Sequence, residues 1–177
     1  MSVREPDSLS SWSQSRSSAG SFESVQRIRL PAPVVEHSAA GAKRLGDVYW
    51  NEIERSMHGV VRARESSAGV ELRVLGTGPA LLRFGPPEHL VTPGSVTCRH
   101  PILGGLLARV SAGSISFTQT GAGDVELSSA IDGFFPRLAP RRLRRGWNGV
   151  LYPQLQTRLH VALGRRYFER LRAEAVQ

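Results

Sequence analysis

Alternating apolar and polar positions fill the middle of this chain, from about Met57 to Phe135. Short runs of the alternation are separated by turns rich in Gly, Pro and Asp, a pattern typical of antiparallel strands joined by hairpins. The runs are 59–65, 70–74, 80–84, 95–100, 102–109, 114–120 and 125–131. They predict a sheet of about six or seven strands, without the strand–helix alternation of a nucleotide-binding fold.

A helical period follows the strands. Between residues 149 and 174, large apolar side chains such as Leu155, Leu159 and Leu163 recur on one face, which predicts one long helix at the end of the chain. Arg166 falls inside the same arc. Its guanidinium is a candidate ligand-binding group for a carboxylate or carbonyl, and the alternative is that it reaches past the apolar face to water.

The segment before the strands is less regular. Arg27–Leu30 alternates and predicts a short strand that ends at a proline. Residues 36–56 are rich in Ala and have helical spacings, which predict one or two short helices, although Gly41 and Gly46 weaken the pattern. An extended conformation from residue 49 to residue 64 is the alternative.

The first 26 residues differ from the rest in composition. Ten of them are serine, and few are large and apolar. Such a segment buries too little surface to offset the entropy of ordering it, so we predict a disordered Ser-rich tail at 1–26. Residues 27–177 then form a single domain, which is an ordinary length for one hydrophobic core.

Several classes of protein lack support in the sequence. The one cysteine, Cys98, excludes an internal disulfide framework, and the five histidines show no metal-binding spacing, so we expect no metal site. Phosphate-binding and dinucleotide motifs are absent, and we expect no cofactor. The chain has neither a secretory signal nor a stretch of roughly 20 apolar residues, so we expect a cytoplasmic protein without a membrane-spanning segment.

The positive charge is concentrated near the end of the chain. The net charge is +8, yet residues 1–136 carry 13 basic and 13 acidic side chains, so the whole excess follows them. The densest run contains Arg141, Arg142, Arg144 and Arg145. This run is a candidate surface for an anionic partner, such as nucleic acid, a membrane surface or an acidic protein, and the alternative is a solvated basic loop.

The alternation also predicts which strand residues face the interior. The more apolar side of the strands carries Phe84, Cys98, Phe117 and Gln119, which we predict as ligand-binding residues. A concave, mostly apolar site with a few polar groups is what a small-molecule pocket requires.

Two residues are candidates for acid–base catalysis. His100 stands two residues after Cys98, on the same face of its strand, and Asp132 stands at the end of the last strand. Because side chains two apart on a strand project in parallel about 7 Å from each other, we predict no direct hydrogen bond between His100 and Cys98. The alternatives are a buried structural Cys98, a hydrogen-bonded His100 and an Asp132 that merely ends its strand.

The order of these elements resembles the START-like, Bet v 1-type superfamily, which includes polyketide cyclases and lipid-binding proteins. The likeness lies in the early strand at Arg27–Leu30, the helical segment at 36–56, the strand meander and the long terminal helix. It implies an α+β helix-grip fold, in which a curved antiparallel sheet grips the C-terminal helix. The structural alternative is a lipocalin-like closed β-barrel with a helix packed outside.

The resemblance implies a protein that binds an apolar or aromatic small molecule in an internal pocket. If such a protein is an enzyme, the resemblance implies a cyclase or dehydratase of the polyketide type. The alternative is a non-enzymatic interaction module that uses the Arg-rich run. The sequence predicts neither a reaction nor an oligomeric state.

Overall fold

The computed structural model describes residues 11–18, 20–137 and 151–175, with the side chains of 162–174 in the last segment. These residues form two helices and nine strands, so the protein belongs to the α+β class. The elements are β1 (Ser11–Arg16), β2 (Phe22–Leu30), α1 (Ala39–Ser56), β3 (Val61–Ser66), β4 (Gly69–Val74), β5 (Ala80–Phe84), β6 (Glu88–Thr92), β7 (Ser95–Gly104), β8 (Ser114–Thr120), β9 (Val125–Phe134) and α2 (Leu151–Ala175).

All nine strands join one antiparallel sheet. Its order is β1-β2-β9-β8-β7-β5-β4-β3, and β6 pairs with β7 beside this path. Within the described residues, β1 and β3 lie at opposite edges and do not pair with each other. The sheet is therefore open, and the closed-barrel alternative is wrong.

The sheet has more strands than the six or seven that the alternation predicts. Residues 11–16 and 22–26, which we predicted as part of a disordered tail, form β1 and the first half of β2. Buried positions in β2 include the polar Ser24 and Gln26, so apolar alternation is absent there. Strand β6 was also missed, because all five of its residues are exposed and leave no apolar face. The two predicted strands at 95–100 and 102–109 are one strand, β7, which runs through Pro101.

Helix α1 confirms the prediction of helical structure at 36–56. Its N-cap is Ser38, whose hydroxyl oxygen accepts a hydrogen bond from the Gly41 backbone N–H at 3.1 Å and thus satisfies one of the free donors of the first turn. The helix packs against β7, β8, β3 and β6. Its buried apolar face consists of Ala42, Leu45, Val48, Tyr49, Trp50 and Ile53.

Helix α2 confirms the prediction of a long helix at the end of the chain. It packs against α1 and β2, and Tyr167, Phe168 and Leu171 are each 1% exposed. The Tyr167 hydroxyl donates a hydrogen bond to the Leu45 carbonyl oxygen at 3.2 Å, which ties α2 to α1. The predicted face at Leu155 and Leu159 lies outside the described side chains. Neither helix, over its described residues, has an apolar stretch that would cross a bilayer.

An aromatic cluster occupies the centre of the core between the helices and the sheet. The Tyr49 and Phe117 ring centroids are 4.4 Å apart, and the Tyr49 and Tyr167 rings meet edge to face at 5.4 Å. Trp50 contacts the rings of Phe84 and Phe117 from the next position of α1. Ring pairs at these separations add to the large apolar area that each ring buries, so the cluster fixes α1 and α2 against β8.

Candidate functional site

An apolar cavity of about 180 Å³ lies between α1 and the sheet. Among the described residues, every side chain in its wall is aliphatic or aromatic, and the polar atoms of these side chains are the Tyr49 hydroxyl and the Trp50 indole nitrogen. The wall consists of Phe22, Tyr49, Trp50, Ile53, Leu72, Leu82, Phe84, Ile102, Ile115, Ile131 and Phe134. Apart from these two groups, the described wall is therefore wholly apolar.

The periodicity of two kinds of element produces this wall. On α1, Ile53 lies four residues after Tyr49 and three after Trp50, so all three side chains fall within the buried face. On the strands, residues such as Leu82 and Ile131 occupy every second position and therefore share the inner face. Both are only partly buried, and both lie in the wall of the cavity.

A second, polar pocket of about 130 Å³ lies on the other side of Trp50, which contributes to both walls. It is formed by α1, the β3–β4 hairpin, β6 and β7. Its wall contains Lys43, Gly46, Asp47, Trp50, Glu65, Ser66, Gly69, Val70, Pro87, His89, Cys98 and His100. Half of these residues carry titratable side chains, in contrast to the apolar cavity.

His100 and Cys98 are in direct contact in the polar pocket. Cys98 Sγ lies 3.5 Å from His100 Nε2, so the prediction that these side chains do not interact is wrong. The 7 Å strand spacing describes the Cβ atoms, whereas the imidazole ring reaches back along the strand. His100 Nδ1 lies 3.1 Å from the Gly85 carbonyl oxygen. Because a carbonyl oxygen only accepts, Nδ1 carries the proton, and Nε2 of the neutral ring is an acceptor.

Burial keeps both members of this pair neutral. It raises the pKa of the Cys98 thiol to about 12, and the nearby Asp47 carboxylate acts in the same direction. Burial also lowers the pKa of His100, while its bond to Gly85 opposes the shift and His89 adds to it. Near neutral pH the thiol therefore donates its proton weakly to a neutral imidazole, and Cys98 is a poor nucleophile.

The other residues that we predicted to face the interior, Phe84, Phe117 and Gln119, are all buried, but each makes different contacts. Phe84 lines the apolar cavity, whereas Phe117 lies in the aromatic cluster and is fully buried. Gln119 is also fully buried, but its amide is used by the segment before α1. Its Oε1 accepts hydrogen bonds from the backbone N–H groups of Val34 and Val35, and its Nε2 donates to the Val35 carbonyl oxygen. Gln119 thus holds backbone rather than facing a cavity.

Asp132 and Arg166 are absent from the described walls of both the apolar cavity and the polar pocket that contains His100. Asp132 is exposed on β9. Arg166 is exposed on α2, where it donates a hydrogen bond to the Ser56 hydroxyl at 3.3 Å. The candidate anion-binding residues Arg141, Arg142, Arg144 and Arg145 lie outside the described residues, so their role stays a prediction.

Sequence reasoning missed the residues that α1 contributes to the two cavities. The helical structure predicted at 36–56 includes Tyr49, Trp50 and Ile53, but the sequence analysis did not assign this segment to a pocket. Gly46 was taken only as a weakness of the helical pattern. Two adjacent aromatic residues on the predicted helix, followed by Ile53 one turn later, are the signal that would have found this wall. In the part of the chain that the structure describes, no three His, Cys, Asp or Glu side chains converge to hold a metal ion.

Comparisons with known proteins yield a distant structural resemblance and no match in sequence. No family model matches this sequence, and no curated protein sequence matches it. The fold is distantly similar to the crystal structure of CalU16 from Micromonospora echinospora, with 10% sequence identity and a TM-score of 0.30. The alignment covers 94% of this chain and 97% of that protein.

Proposed function

We propose that this protein binds a small apolar or aromatic molecule in the apolar cavity between α1 and the sheet. The observation that carries the proposal is a cavity of about 180 Å³ whose described wall contains only aliphatic and aromatic side chains. Removing an apolar ligand from water contributes about 25 cal/mol per Å² of buried apolar surface. The arrangement we propose is a single helix-grip-like domain, in which the sheet and α1 line the ligand site and α2 packs against α1 and β2.

The volume of the cavity limits the size of the ligand. A dry apolar cavity of about 150 Å³ accepts benzene, whereas sites for drug-sized molecules have about 300–1,000 Å³. A volume of about 180 Å³ therefore suits one substituted ring or a bicyclic molecule of the size of indole. A larger polycyclic molecule would extend beyond this volume toward solvent, because the cavity is open on one side.

The position of the acid–base candidates favours binding over catalysis. His100 belongs to the polar pocket on the far side of Trp50, and Asp132 is exposed. Among the described wall residues, the side-chain polar group left to orient a ligand in the apolar cavity is instead the Tyr49 hydroxyl, because Trp50 Nε1 lies toward Gly46 in the polar pocket. Burial raises the pKa of Tyr49 well above its ordinary value, so its hydroxyl is a neutral donor rather than a base.

Isothermal titration with a series of rings tests the proposal. Toluene and indole should bind at one site per chain, whereas anthracene, which cannot be accommodated fully, should bind more weakly than indole. Leu82→Trp places a ring inside the cavity wall and should abolish indole binding. Leu90→Trp is the matched control, because Leu90 is 55% exposed on β6, and it should leave indole binding unchanged. Equal affinity for anthracene, or undiminished binding to Leu82→Trp, would contradict the proposal.

A further inference from the structure

Large apolar side chains are exposed together at one end of the sheet. The start of β3, the β4–β5 turn, the end of β7 and the end of β9 all lie at this end, because their strands pair antiparallel. The segment after β7 continues there, since the Leu106 N–H donates to the Ala80 carbonyl oxygen at 3.1 Å. We define the strand-end surface as residues 54–64, 73–80, 104–113 and 132–137. Its exposed large apolar residues are Met57, Val60, Leu75, Leu106, Leu107 and Val110.

Leu75 is the most exposed of these residues, at 64%, and it lies in the β4–β5 turn. Its backbone has a positive φ of 51°, a conformation for which glycine or asparagine is the usual residue. The Leu75 N–H donates to the Val60 carbonyl oxygen at 2.8 Å, which joins the turn to the start of β3. A group of exposed apolar side chains around such a turn is typical of a surface that contacts an apolar partner.

The strand-end surface is also positively charged. Its segments contain six arginines and two acidic residues, Glu54 and Asp132. Glu54 accepts a hydrogen bond from the Ala63 backbone N–H at 2.8 Å, and Glu71, just outside the surface, pairs with Arg73 at 2.7 Å. The surface therefore keeps an excess of positive charge. All of its arginines except Arg73 are exposed, and the six are Arg55, Arg62, Arg64, Arg73, Arg109 and Arg137.

Two of these arginines converge on the turn that carries Leu75. A Cβ atom at Gly76 would lie 3.3 Å from Arg62 Cδ and 3.3 Å from Arg64 Nη2. Arg64 Nε donates to the Gly76 carbonyl oxygen at 3.1 Å, and Arg62 stands directly opposite Arg73 on the neighbouring strand. Like charges opposite each other on a sheet are unfavourable, so an anion bound beside the turn would relieve their repulsion.

We propose that the strand-end surface docks on a lipid bilayer that contains anionic lipids. Leu75, Leu106 and Leu107 enter the interfacial layer, and the arginines bind the lipid phosphates. Apolar insertion and attraction to anionic lipids act together at such an interface, and guanidinium groups bind phosphate well. Neighbouring strands lie about 4.8 Å apart, so β3, β4, β5 and the segment after β7 span roughly 15 Å. The bilayer thus meets several side chains at once.

The composition of the surface favours a bilayer over two other partners. A second copy of this chain would bring two positively charged surfaces together, which is unfavourable. Nucleic acid would find no exposed aromatic ring among the described residues of the surface, and its exposed leucine, valine and methionine side chains do not stack on bases. This proposal does not depend on ligand binding in the apolar cavity, because Leu75 and Leu106 are outside the cavity wall.

Sedimentation of the full chain with lipid vesicles tests the proposal. Phosphatidylcholine vesicles that contain about 30% phosphatidylserine should sediment the protein, and vesicles of phosphatidylcholine alone should bind it at least about tenfold more weakly. Raising the salt from about 0.1 M to about 0.5 M should weaken the binding, because salt screens the arginines. No binding, or equal binding to the two kinds of vesicle, would overturn the proposal. Tighter binding to single-stranded RNA than to the anionic vesicles would overturn it in favour of nucleic acid.

Matched variants locate the contact. Leu75→Ser should weaken vesicle binding by about tenfold, whereas Leu90→Ser should not, because Leu90 is 55% exposed on β6, away from this end of the sheet. Arg62→Gln should weaken it by about fivefold. Arg29→Gln removes the same charge at the far end of β2 and should have little effect. Unchanged binding in Leu75→Ser and Arg62→Gln would place the contact elsewhere on the chain and overturn the assignment.

A fluorescent label reports insertion directly. Nitrobenzoxadiazole attached to Leu75→Cys should emit at shorter wavelength with the anionic vesicles, whereas the same label on Leu90→Cys should not change. Cys98 is buried and does not compete for the label in the folded protein. An unshifted spectrum at position 75 would overturn the proposal. Indole titration of Leu75→Ser reports separately on the apolar cavity, so failure of one proposal is distinguishable from failure of the other.

Discussion

Gln119 should be one of the most sensitive positions for stability, although it touches neither cavity wall. Its amide makes three hydrogen bonds of 2.8–3.1 Å to the backbone of Val34 and Val35, both of which are 7% exposed. Gln119→Met keeps the length of the side chain and removes all three bonds. Two N–H groups and one carbonyl then lose their partners in a buried place, at about 1–3 kcal/mol for each group.

The expected loss for Gln119→Met is about 3–6 kcal/mol, since partial access to water lowers the sum, and this is a large part of the 5–15 kcal/mol typical of a domain. Urea unfolding followed by circular dichroism measures it. Thr120→Met is the control, because Thr120 is the exposed neighbour on β8 and its replacement should change stability by at most about 0.5 kcal/mol. A loss below about 1 kcal/mol in Gln119→Met would refute the assignment of these bonds.

Three further predictions concern titration, reactivity and the N-terminal strands. The pKa of His100 is lower in the folded than in the unfolded chain. Its contribution to the free energy of unfolding is therefore complete above about pH 6.5 and is lost as the pH falls. In urea unfolding, His100→Phe should flatten the decline of this free energy below that pH, whereas His58→Asn should not. Iodoacetamide at pH 8 should modify Cys98 at least about a hundredfold more slowly in the native than in the urea-unfolded protein by mass spectrometry, and equal rates would contradict its burial. Deleting residues 1–16 removes an exposed edge strand and should lower the melting temperature only slightly. Deleting residues 1–26 also removes half of β2 and should prevent folding. Equal melting temperatures for the two deletions would show that β2 does not depend on Ser24 and Gln26.

The sheet and the helices were predictable where side-chain periodicity reflects burial. Alternation correctly assigned Phe84, Cys98 and Phe117 to the inner face, because each strand there has one buried and one more accessible side. It failed at β1 and β6, whose residues are nearly all exposed. In such strands the stabilisation comes from pairing with β2 and β7, which composition does not reveal.

The candidate site was less predictable, because it depends on contacts between elements. The sequence pointed to His100 and Cys98, but their contact requires the Gly85 carbonyl oxygen, which lies 15 residues away along the chain. The approach of Trp50 and Gly46 to the same place follows from the packing of α1 on β7. Gln119 was predicted to bind a ligand, but its amide binds the backbone of Val34 and Val35. A buried polar side chain on the inner face can be satisfied by its own protein as readily as by a ligand.

The central claim is that a single small ring occupies the apolar cavity, and the location of bound indole tests it most directly. Isotope-filtered nuclear Overhauser spectroscopy on methyl-labelled protein measures which side chains lie next to the ring. The account predicts contacts from indole to the methyl groups of Leu82, Ile102 and Ile131, which line the cavity on three different strands. Contacts confined to exposed residues such as Leu106 and Val110 would contradict it, because the ring would then lie on the surface of the protein.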